Sequence, residues 1–454
     1  MPDPRRPALS IEELRRQVES GDVDTVVVAL TDMQGRLQGK RLHAAYFLDV
    51  VLEHATEGCN YLLAVDVDMN TVDGYAMSSW SSGYGDFVLQ PDLSTLRPVP
   101  WQAGTVLVLA DLHWEDGSDV IASPRQVLAR QRARLAAAGM TAYVGTELEF
   151  MLFRDTYEQA WNAGYRDLTP VNQYNVDYSL LDTAGIEPLL RRIRNGMSGA
   201  GLTVESAKGE CNLGQHEIAF LYDEAGVTCD NHAVFKNGAK EMAAQAGLAL
   251  TFMAKFNERE GNSCHIHCSF RGTDGQLVMA EGEGMSAVGK SFVAGQLRYM
   301  RELTLLLAPN INSYKRYVEG SFAPTALRWG RDNRTCAFRL VGHGPSLRLE
   351  NRIPGGDVNP YLATAAVIAA GLAGVEEHLE LEPAFEGNAY GDADAPRVPT
   401  GLAEAHQLWT TSDFARRTFG DEVVDHYANA AAVELAAFGR SVTDWERIRG
   451  FERL

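Results

Sequence analysis

Five short segments of this chain alternate residues that carry chemistry with apolar ones. They are Gly145-Thr146-Glu147-Leu148-Glu149-Phe150, Glu210-Cys211-Asn212-Leu213-Gly214-Gln215-His216-Glu217, Gly261-Asn262-Ser263-Cys264-His265-Ile266-His267-Cys268-Ser269, Asn312-Ser313-Tyr314-Lys315-Arg316 and Arg348-Leu349-Glu350-Asn351-Arg352. Successive side chains of a strand point to opposite faces. Read as strands, the segments put Glu147 with Glu149 on one face, and likewise Gln215 with Glu217, His265 with His267, and Arg348 with Glu350 and Arg352. Leu148, Phe150, Ile218, Ile266 and Leu349 then turn to the other face and a core. A surface lined with so many carboxylates is tenable only with cations among them. The pattern calls for metals and a polyanion.

At 454 residues the chain exceeds one ordinary domain and can bury a large core. A net charge of −19, with a pI near 5.0, argues against binding along a nucleic-acid backbone. The six cysteines form no C-x-x-C pair, and Cys264 and Cys268, which flank the histidine pair, read as small buried fillers, so zinc is not suggested. Met1-Pro2-Asp3-Pro4-Arg5-Arg6 lacks the apolar core of a signal peptide, and the mildly apolar run 361–375 is too short for a bilayer. No membrane and a cytoplasmic location are expected.

Ser10 and the glutamates behind it predict a short helix over 9–20. Thr25 to Leu30 predicts a strand, with a hairpin turn at Asp32-Met33-Gln34-Gly35. A second strand pair is expected near Tyr61–Val67 and Asp86–Leu89, separated by a long Gly-, Ser- and Asp-rich loop from Asp68 to Gly85; loops of that length are usually functional or disordered. Thr105–Leu112 reads as a further strand. Ser123-Pro124-Arg125 opens a helix to about Ala138, and the domain boundary falls near residue 115. Helices are expected over 232–246, 290–308, 361–375, 422–438 and 442–449.

Glutamates at adjacent alternating positions can give one ligand to each of two neighbouring cations, and oxygen-rich sites with a single imidazole suit Mg²⁺ or Mn²⁺. Two such ions clamp a triphosphate. Arginines facing the same space grip phosphate and carboxylate bidentately. Together they argue for phosphoryl transfer from a nucleotide to a carboxylate, although neither a P-loop nor a kinase-type glycine loop is present. Singly, each motif has a plainer reading: a solvated Glu-x-Glu face, a structural His-x-His, or an Arg-x-Glu-x-Arg ladder whose exposed pairs are worth only ~0–1 kcal/mol. Their joint occurrence moves them to the functional reading.

In that order the motifs resemble those of the type I glutamine synthetases and related γ-glutamyl ligases, from Asp32-Met33-Gln34-Gly35 to Val442-Thr443-Asp444-Trp445-Glu446. The resemblance implies an α+β fold: a β-grasp N-terminal domain at residues 1–115, then a catalytic domain at 116–454. The catalytic domain would be a funnel of curved antiparallel sheet flanked by helices. It implies subunits in two stacked hexameric rings, with active sites shared between neighbours. By motif, Glu149, Glu210 and Glu217 resemble the ligands of a first Mg²⁺ or Mn²⁺, and Glu147, His265 and Glu350 those of a second. Glu205, Tyr222, His267, Ser269, Arg339 and Arg348 fall where the family meets ATP. Arg316 and the backbone of Gly261 match the groups on the glutamate α-carboxylate and α-amino group, Arg334 and Arg352 those on its side-chain carboxylate. Tyr390 lies where some members carry a regulatory tyrosine, in poorly matching surroundings.

Ammonia-using members hold a Glu just before Ala-Pro in the flap after Asn-Ser-Tyr-Lys-Arg; here Phe322 occupies that position, before Ala323-Pro324. A phenyl ring removes a charge, an acceptor and a base at once, leaving an ammonium ion only cation–π attraction of ~0.5–2 kcal/mol. The family's Asp-Gly-Ser-Ser loop is replaced by Asp73-Gly74-Tyr75-Ala76, so Asp73 is an approximate counterpart. Phe322, Tyr75 and Trp80 suit an amine with a carbon body. The expected function is therefore ATP-dependent activation of glutamate as γ-glutamyl phosphate and its coupling to an organic amine of the ethanolamine or polyamine class; the alternative is glutamine synthesis from ammonia. A regulatory protein on a dead scaffold would have lost metal ligands, and a guanidino kinase would lack the His-x-His and Asn-Ser-Tyr-Lys-Arg motifs.

Overall fold

The β-branched run at Thr25–Thr31 forms a largely buried strand, β1, in a computed structural model that describes residues 8–454. Residues 1–6, on which the expectation about a leader rests, lie outside them. Asp32 ends β1 by accepting the backbone N–H groups of Gln34 (3.0 Å) and Arg36 (2.8 Å), and Gly35 supplies the positive φ of +77° that closes the hairpin to β2 (Leu37–His43). With β3 (Thr56–Cys59), β4 (Asp86–Pro98) and β5 (Thr105–His113) these make a five-stranded sheet, ordered β2-β1-β5-β4-β3, with β1 and β5 parallel. The partner of β4 lies earlier than expected: residues 56–59 pair with 86–89, while Asn60–Leu63 coil into a 3₁₀ helix.

The second sheet carries the motifs. Its strands are β6 (Met140–Phe153), β7 (Val204–Gly209), β8 (Gln215–Phe220), β9 (Asp223–Glu224), β10 (Ala249–Thr251) and β11 (Cys264–Gly272), and, beyond the small hairpin β12 (Ala280–Glu281) and β13 (Gly284–Met285), β14 (Trp329–Arg331), β15 (Phe338–Val341) and β16 (Arg348–Asn351). The order is β14-β15-β16-β11-β6-β8-β7, with β9 and β10 also on β6, and every pairing but β14–β15 is antiparallel. The α+β class holds. Two motif segments are not strands, however: Glu210–Gly214 connects β7 to β8, and Ser313–Arg316 is a 3₁₀ helix pinned by Asp357, which accepts from Asn310 and from the Ser313 hydroxyl.

Helices cover the other face. Pro360–Glu376 is buried over nearly its whole length. It packs on Ala287–Tyr299 with Gly295 against Gly374, where a Cβ on Gly295 would lie 2.1 Å from the carbonyl of Ala370. That second helix stops short of the expected span, with a separate turn at Thr304–Leu307, and the predicted 232–246 helix begins earlier, at Ala225. From Leu402 the chain is helical to Gly450, with Asp421–Arg440 and Asp444–Gly450 near their expected places. No described helix is long and apolar enough to cross a membrane.

The two sheets share one apolar core and are tied by polar contacts as well. Asn359 donates from Nδ2 to the carbonyls of Asp32 (3.0 Å) and Met33 (3.1 Å). Arg125, one residue into the helix that starts at Pro124, pairs with Asp92 of β4, Asp111 of β5 and Asp230 of the helix Ala225–Gln245. Removing that arginine would strand three carboxylates in a largely desolvated place.

Candidate active site

Strand register builds the site row by row. On β6, Leu148 and Phe150 are buried in the core, so Glu147 and Glu149 turn to the open face, which Glu217, His265, His267 and Glu350 share. Lys208, Glu217 and Glu149 lie side by side across β7, β8 and β6. Glu147 stands opposite His265, and His267, Glu350 and Arg339 form the next row across β11, β16 and β15. Tyr143 and Ser269 follow beyond.

Two carboxylate clusters result. Ligand-type atoms of Glu149, Glu210 and Glu217 all fall within 4.8 Å of one another. Burial raises Glu149 to about 8, with Glu210 adding to it, and burial with Glu147 and Glu149 raises Glu217 to about 9. Glu210 is raised as well, in spite of its ion pair with Lys208. Three acids raised in this way call for positive charge among them. The Glu149 carboxylate is fixed by the Ser263 N–H (2.7 Å) and by Gln215 Nε2 (3.0 Å).

The second cluster brings in both histidines. Glu147, His267 and Glu350 meet within 4.8 Å, while His265 Nδ1 lies 3.1 Å from Glu147 and 3.3 Å from Glu350. His267, expected only at the nucleotide phosphates, thus also stands 2.8 Å from Glu147. Burial would raise Glu147 and Glu350, but the neighbouring histidines, and Arg352 beside Glu350, hold both below the usual carboxylate range. Burial, with Arg352, lowers His265 to about 4, so its imidazole is neutral, and its Nε2 is buried without a partner. Neutral imidazole and crowded carboxylates form a donor set that fits Mg²⁺ or Mn²⁺.

The arginines divide. Arg339 pairs with Glu350 (3.0 Å) and Asp332, and Arg348 donates to His267 Nδ1 (3.2 Å), so both border the second cluster. Arg352 pairs with Glu350 and also donates to the carbonyl of Phe322 (3.1 Å). Arg316 is 1% exposed and gives Nη2 to the carbonyls of Arg352, Ile353 and Pro354. Its Nε is left unpartnered. It braces the wall beside Ser263 and Glu149 rather than standing free. Gly261 packs against it so closely that a Cβ would lie 2.2 Å from the Ala254 carbonyl and 2.8 Å from Arg316 Cγ. Arg334 is exposed on the turn after β14, beside Asn333 and Phe385–Gly387, and is not gathered with Arg316 and Arg352.

At the far end, beyond Ser269, Tyr222 stands edge-on to Tyr143 (6.2 Å) and Arg271 lies over Tyr143 (5.2 Å). Tyr143 and Arg271 went unnoticed in the sequence, although they continue the two-residue period of Glu149-Glu147 and His265-His267-Ser269. Glu205 is exposed at the bulge of β7 and makes no side-chain hydrogen bond or ion pair among the described residues. Asp73 is exposed, its backbone carbonyl held by Asn429 (3.0 Å), with no contact to either cluster. Tyr75 is not the amine wall expected: it is 5% exposed and packs on His426 at 4.7 Å. Trp80 is 76% exposed on the same loop. Phe322 sits on the flap at φ +59° with its side chain 55% exposed; this left-handed region costs a bulky residue roughly 1–3 kcal/mol unless its neighbours hold it. Tyr390 is buried, its hydroxyl bonded to the Ala323 carbonyl, which does not suit a displayed regulatory tyrosine.

Residues 121–449 match the model of the glutamine synthetase catalytic domain. Over 450 residues the chain is 67% identical to a γ-glutamylethanolamide synthetase of Streptomyces coelicolor, covering 99% of this chain and 97% of that one. It is 36% identical to a glutamate–isopropylamine ligase of a Pseudomonas species, covering 97% of each chain. Among solved structures, the ADP complex of GmaS superposes with a TM-score of 0.85 at 26% identity, over 97% of this chain and 99% of the other.

Proposed function

The chain belongs to the glutamine synthetase family, and from that footing we propose that it joins the γ-carboxylate of glutamate to a small organic amine of the ethanolamine class, driven by ATP. The observation that carries the choice of amine is Phe322: the flap holds no carboxylate at the position where an ammonium ion would need one, and presents a half-exposed ring instead. The relatives that act on ethanolamine and isopropylamine support the same reading.

Glu149, Glu210 and Glu217 would hold one Mg²⁺ or Mn²⁺, and Glu147 and Glu350 with His265 or His267 another. When bound, such ions neutralise charge on the triphosphate during transfer. The chain's own residues do the rest. Arg339 and Arg348 face the moving phosphoryl group as preorganised donors. A γ-carboxylate oxygen of glutamate attacks the terminal phosphorus, ADP leaves, and γ-glutamyl phosphate remains. The amine nitrogen, as the free base, then attacks the acyl carbon, the bond from that carbon to the phosphate oxygen breaks, and phosphate departs as the nitrogen's proton passes to solvent. Arg352 stands between the two halves, joined to Glu350 on one side and to the flap on the other. Tyr143, Tyr222 and Arg271, with Ser269 and more remotely Glu205, would meet the base and sugar. Arg334, from its exposed loop, would meet the side-chain carboxylate of glutamate, and Asp73 would act at the acceptor side from a neighbouring subunit of a double-hexamer assembly. A cytoplasmic setting completes the reading.

Phosphate release from ATP, Mg²⁺ and glutamate, measured with ammonium, ethanolamine, putrescine, spermine and short alkylamines, tests it. Ethanolamine should support turnover well above ammonium. Ammonium used as efficiently as every amine would return the enzyme to glutamine synthesis.

A further inference from the structure

Tyr390 takes no part in the chemistry above, yet its ring is only 8% exposed and lies against the acceptor flap. Its hydroxyl donates to the carbonyl of Ala323 at 3.1 Å. The preceding carbonyl, that of Phe322, accepts from Arg352 at 3.1 Å. Two successive flap carbonyls are therefore held by side chains from two separate elements, Arg352 just past β16 and Tyr390 from the short turn Ala389–Gly391. Both anchors follow directly on the Phe322 Cα, whose φ of +59° a bulky L-residue abandons unless the chain beside it is held.

The segment behind Tyr390 is itself braced. The Ala389 N–H donates to Thr335 Oγ1 (2.9 Å), Arg397 donates to the carbonyl of Asp392 (2.7 Å), and Arg328 pairs with Asp392 (2.7 Å). Thr335 follows Arg334, so the Tyr390 turn spans from the loop of that arginine to the flap. Burial raises the phenol above its ordinary pKa, and it stays a donor across the physiological range.

We infer that Tyr390 is a positioning residue: by holding the Ala323 carbonyl it keeps Phe322 left-handed and the flap seated over the acyl phosphate, so that an amine rather than water reaches the acyl carbon. The inference rests on the ligase reading above. Where water enters instead, its oxygen adds to the acyl carbon, the bond from that carbon to the phosphate oxygen breaks, and glutamate and phosphate are released with a proton to solvent. ATP is then consumed without an amide.

The test uses the full-length enzyme and its Tyr390→Phe variant with ATP, Mg²⁺, glutamate and hydroxylamine, a small neutral nucleophile that captures the acyl phosphate whatever the natural amine. Phosphate and γ-glutamyl hydroxamate are measured in the same sample. In the wild type their ratio should be near one; in Tyr390→Phe it should rise at least ~3-fold and the KM for hydroxylamine ~10-fold, with the KM for ATP and the Tm little changed. Glycine takes the left-handed conformation without help, so in a Phe322→Gly background Tyr390→Phe should shift the ratio much less. An unchanged ratio in Tyr390→Phe overturns the inference, and so does a uniform loss of all activities with a fallen Tm, which would make the tyrosine purely structural. A wild-type enzyme that forms no hydroxamate overturns the ligase reading and this inference with it.

Discussion

Arg352 donates one guanidinium nitrogen to the carbonyl of Phe322, 3.1 Å away, while another pairs with Glu350. One side chain thus joins a carboxylate of the second cluster to the flap on the acceptor side. Arg352→Lys puts a single ammonium where a fork reached two partners. The kcat/KM for ATP and that for the amine should both fall, each by about 1.5–3 kcal/mol for a lost charged hydrogen bond. Steady-state kinetics with each substrate varied in turn would show it; a loss confined to one substrate would mean the two contacts are independent.

Glu147 touches both His265 and His267 and is central to the second cluster. Glu147→Gln keeps the shape but removes the charge. Turnover should drop by about 10²–10³ in kcat, the scale of a lost transition-state stabiliser, and Mg²⁺ should protect the variant less against heat than the wild type. Equal protection of both proteins would sink the ligand assignment.

The raised carboxylates predict how pH and metal interact. Glu149 and Glu217 sit at about 8 and about 9, above the ordinary 4.5, so between those values the folded metal-free chain holds protons that the unfolded chain has released. Stability of the metal-free enzyme is complete below the ordinary value and declines as pH climbs through that interval. Mg²⁺ must displace those protons, so its affinity rises with pH. Calorimetry should show a larger Mg²⁺-induced gain in Tm at about pH 8.5 than at about pH 6. A gain that does not vary with pH would mean the cluster binds no cation.

Arg316 is buried under three carbonyls, so its replacement has two consequences to separate. Arg316→Lys should lower the Tm, because the carbonyls of Arg352, Ile353 and Pro354 lose a fork donor, and should raise the KM for glutamate. A fallen Tm with an unchanged glutamate KM would leave Arg316 only the structural part.

The open face of the sheet was legible because a strand's period is two and core partners declare themselves: Leu148, Phe150, Ile266 and Leu349 fix which side Glu147, Glu149, His265 and Glu350 must take. Arg316 was legible as a site residue but not as a buried brace, since its carbonyl partners come from a turn some 36 residues on. Asn312–Arg316 passed for a strand because its 3₁₀ turn depends on Asp357, a long-range acceptor. Tyr75 and Trp80 look alike in a polar loop; only packing on His426 decides that one is buried and the other displayed. The clamp of Tyr390 on Ala323 joins positions 67 apart and has no local signature.

Amine choice turns on position 322. An amine attacks as the free base, yet most are protonated near neutral pH, so the site must accept a proton and tolerate desolvation. Phe322 offers an ammonium ion neither, only its ring face, worth ~0.5–2 kcal/mol. An amine with a carbon body gains instead from apolar surface, at ~25 cal/mol per Å² buried. Phe322→Glu restores an acceptor at the flap, on a backbone that Arg352 already holds by the carbonyl of residue 322. The ratio of kcat/KM for ammonium to that for ethanolamine should therefore rise by at least ~10-fold, mostly through a lower KM for ammonium. The left-handed backbone is kept by Arg352 and Tyr390, so the variant should fold with a Tm close to that of the parent. A folded variant whose amine preference does not move would show that Phe322 does not set the acceptor.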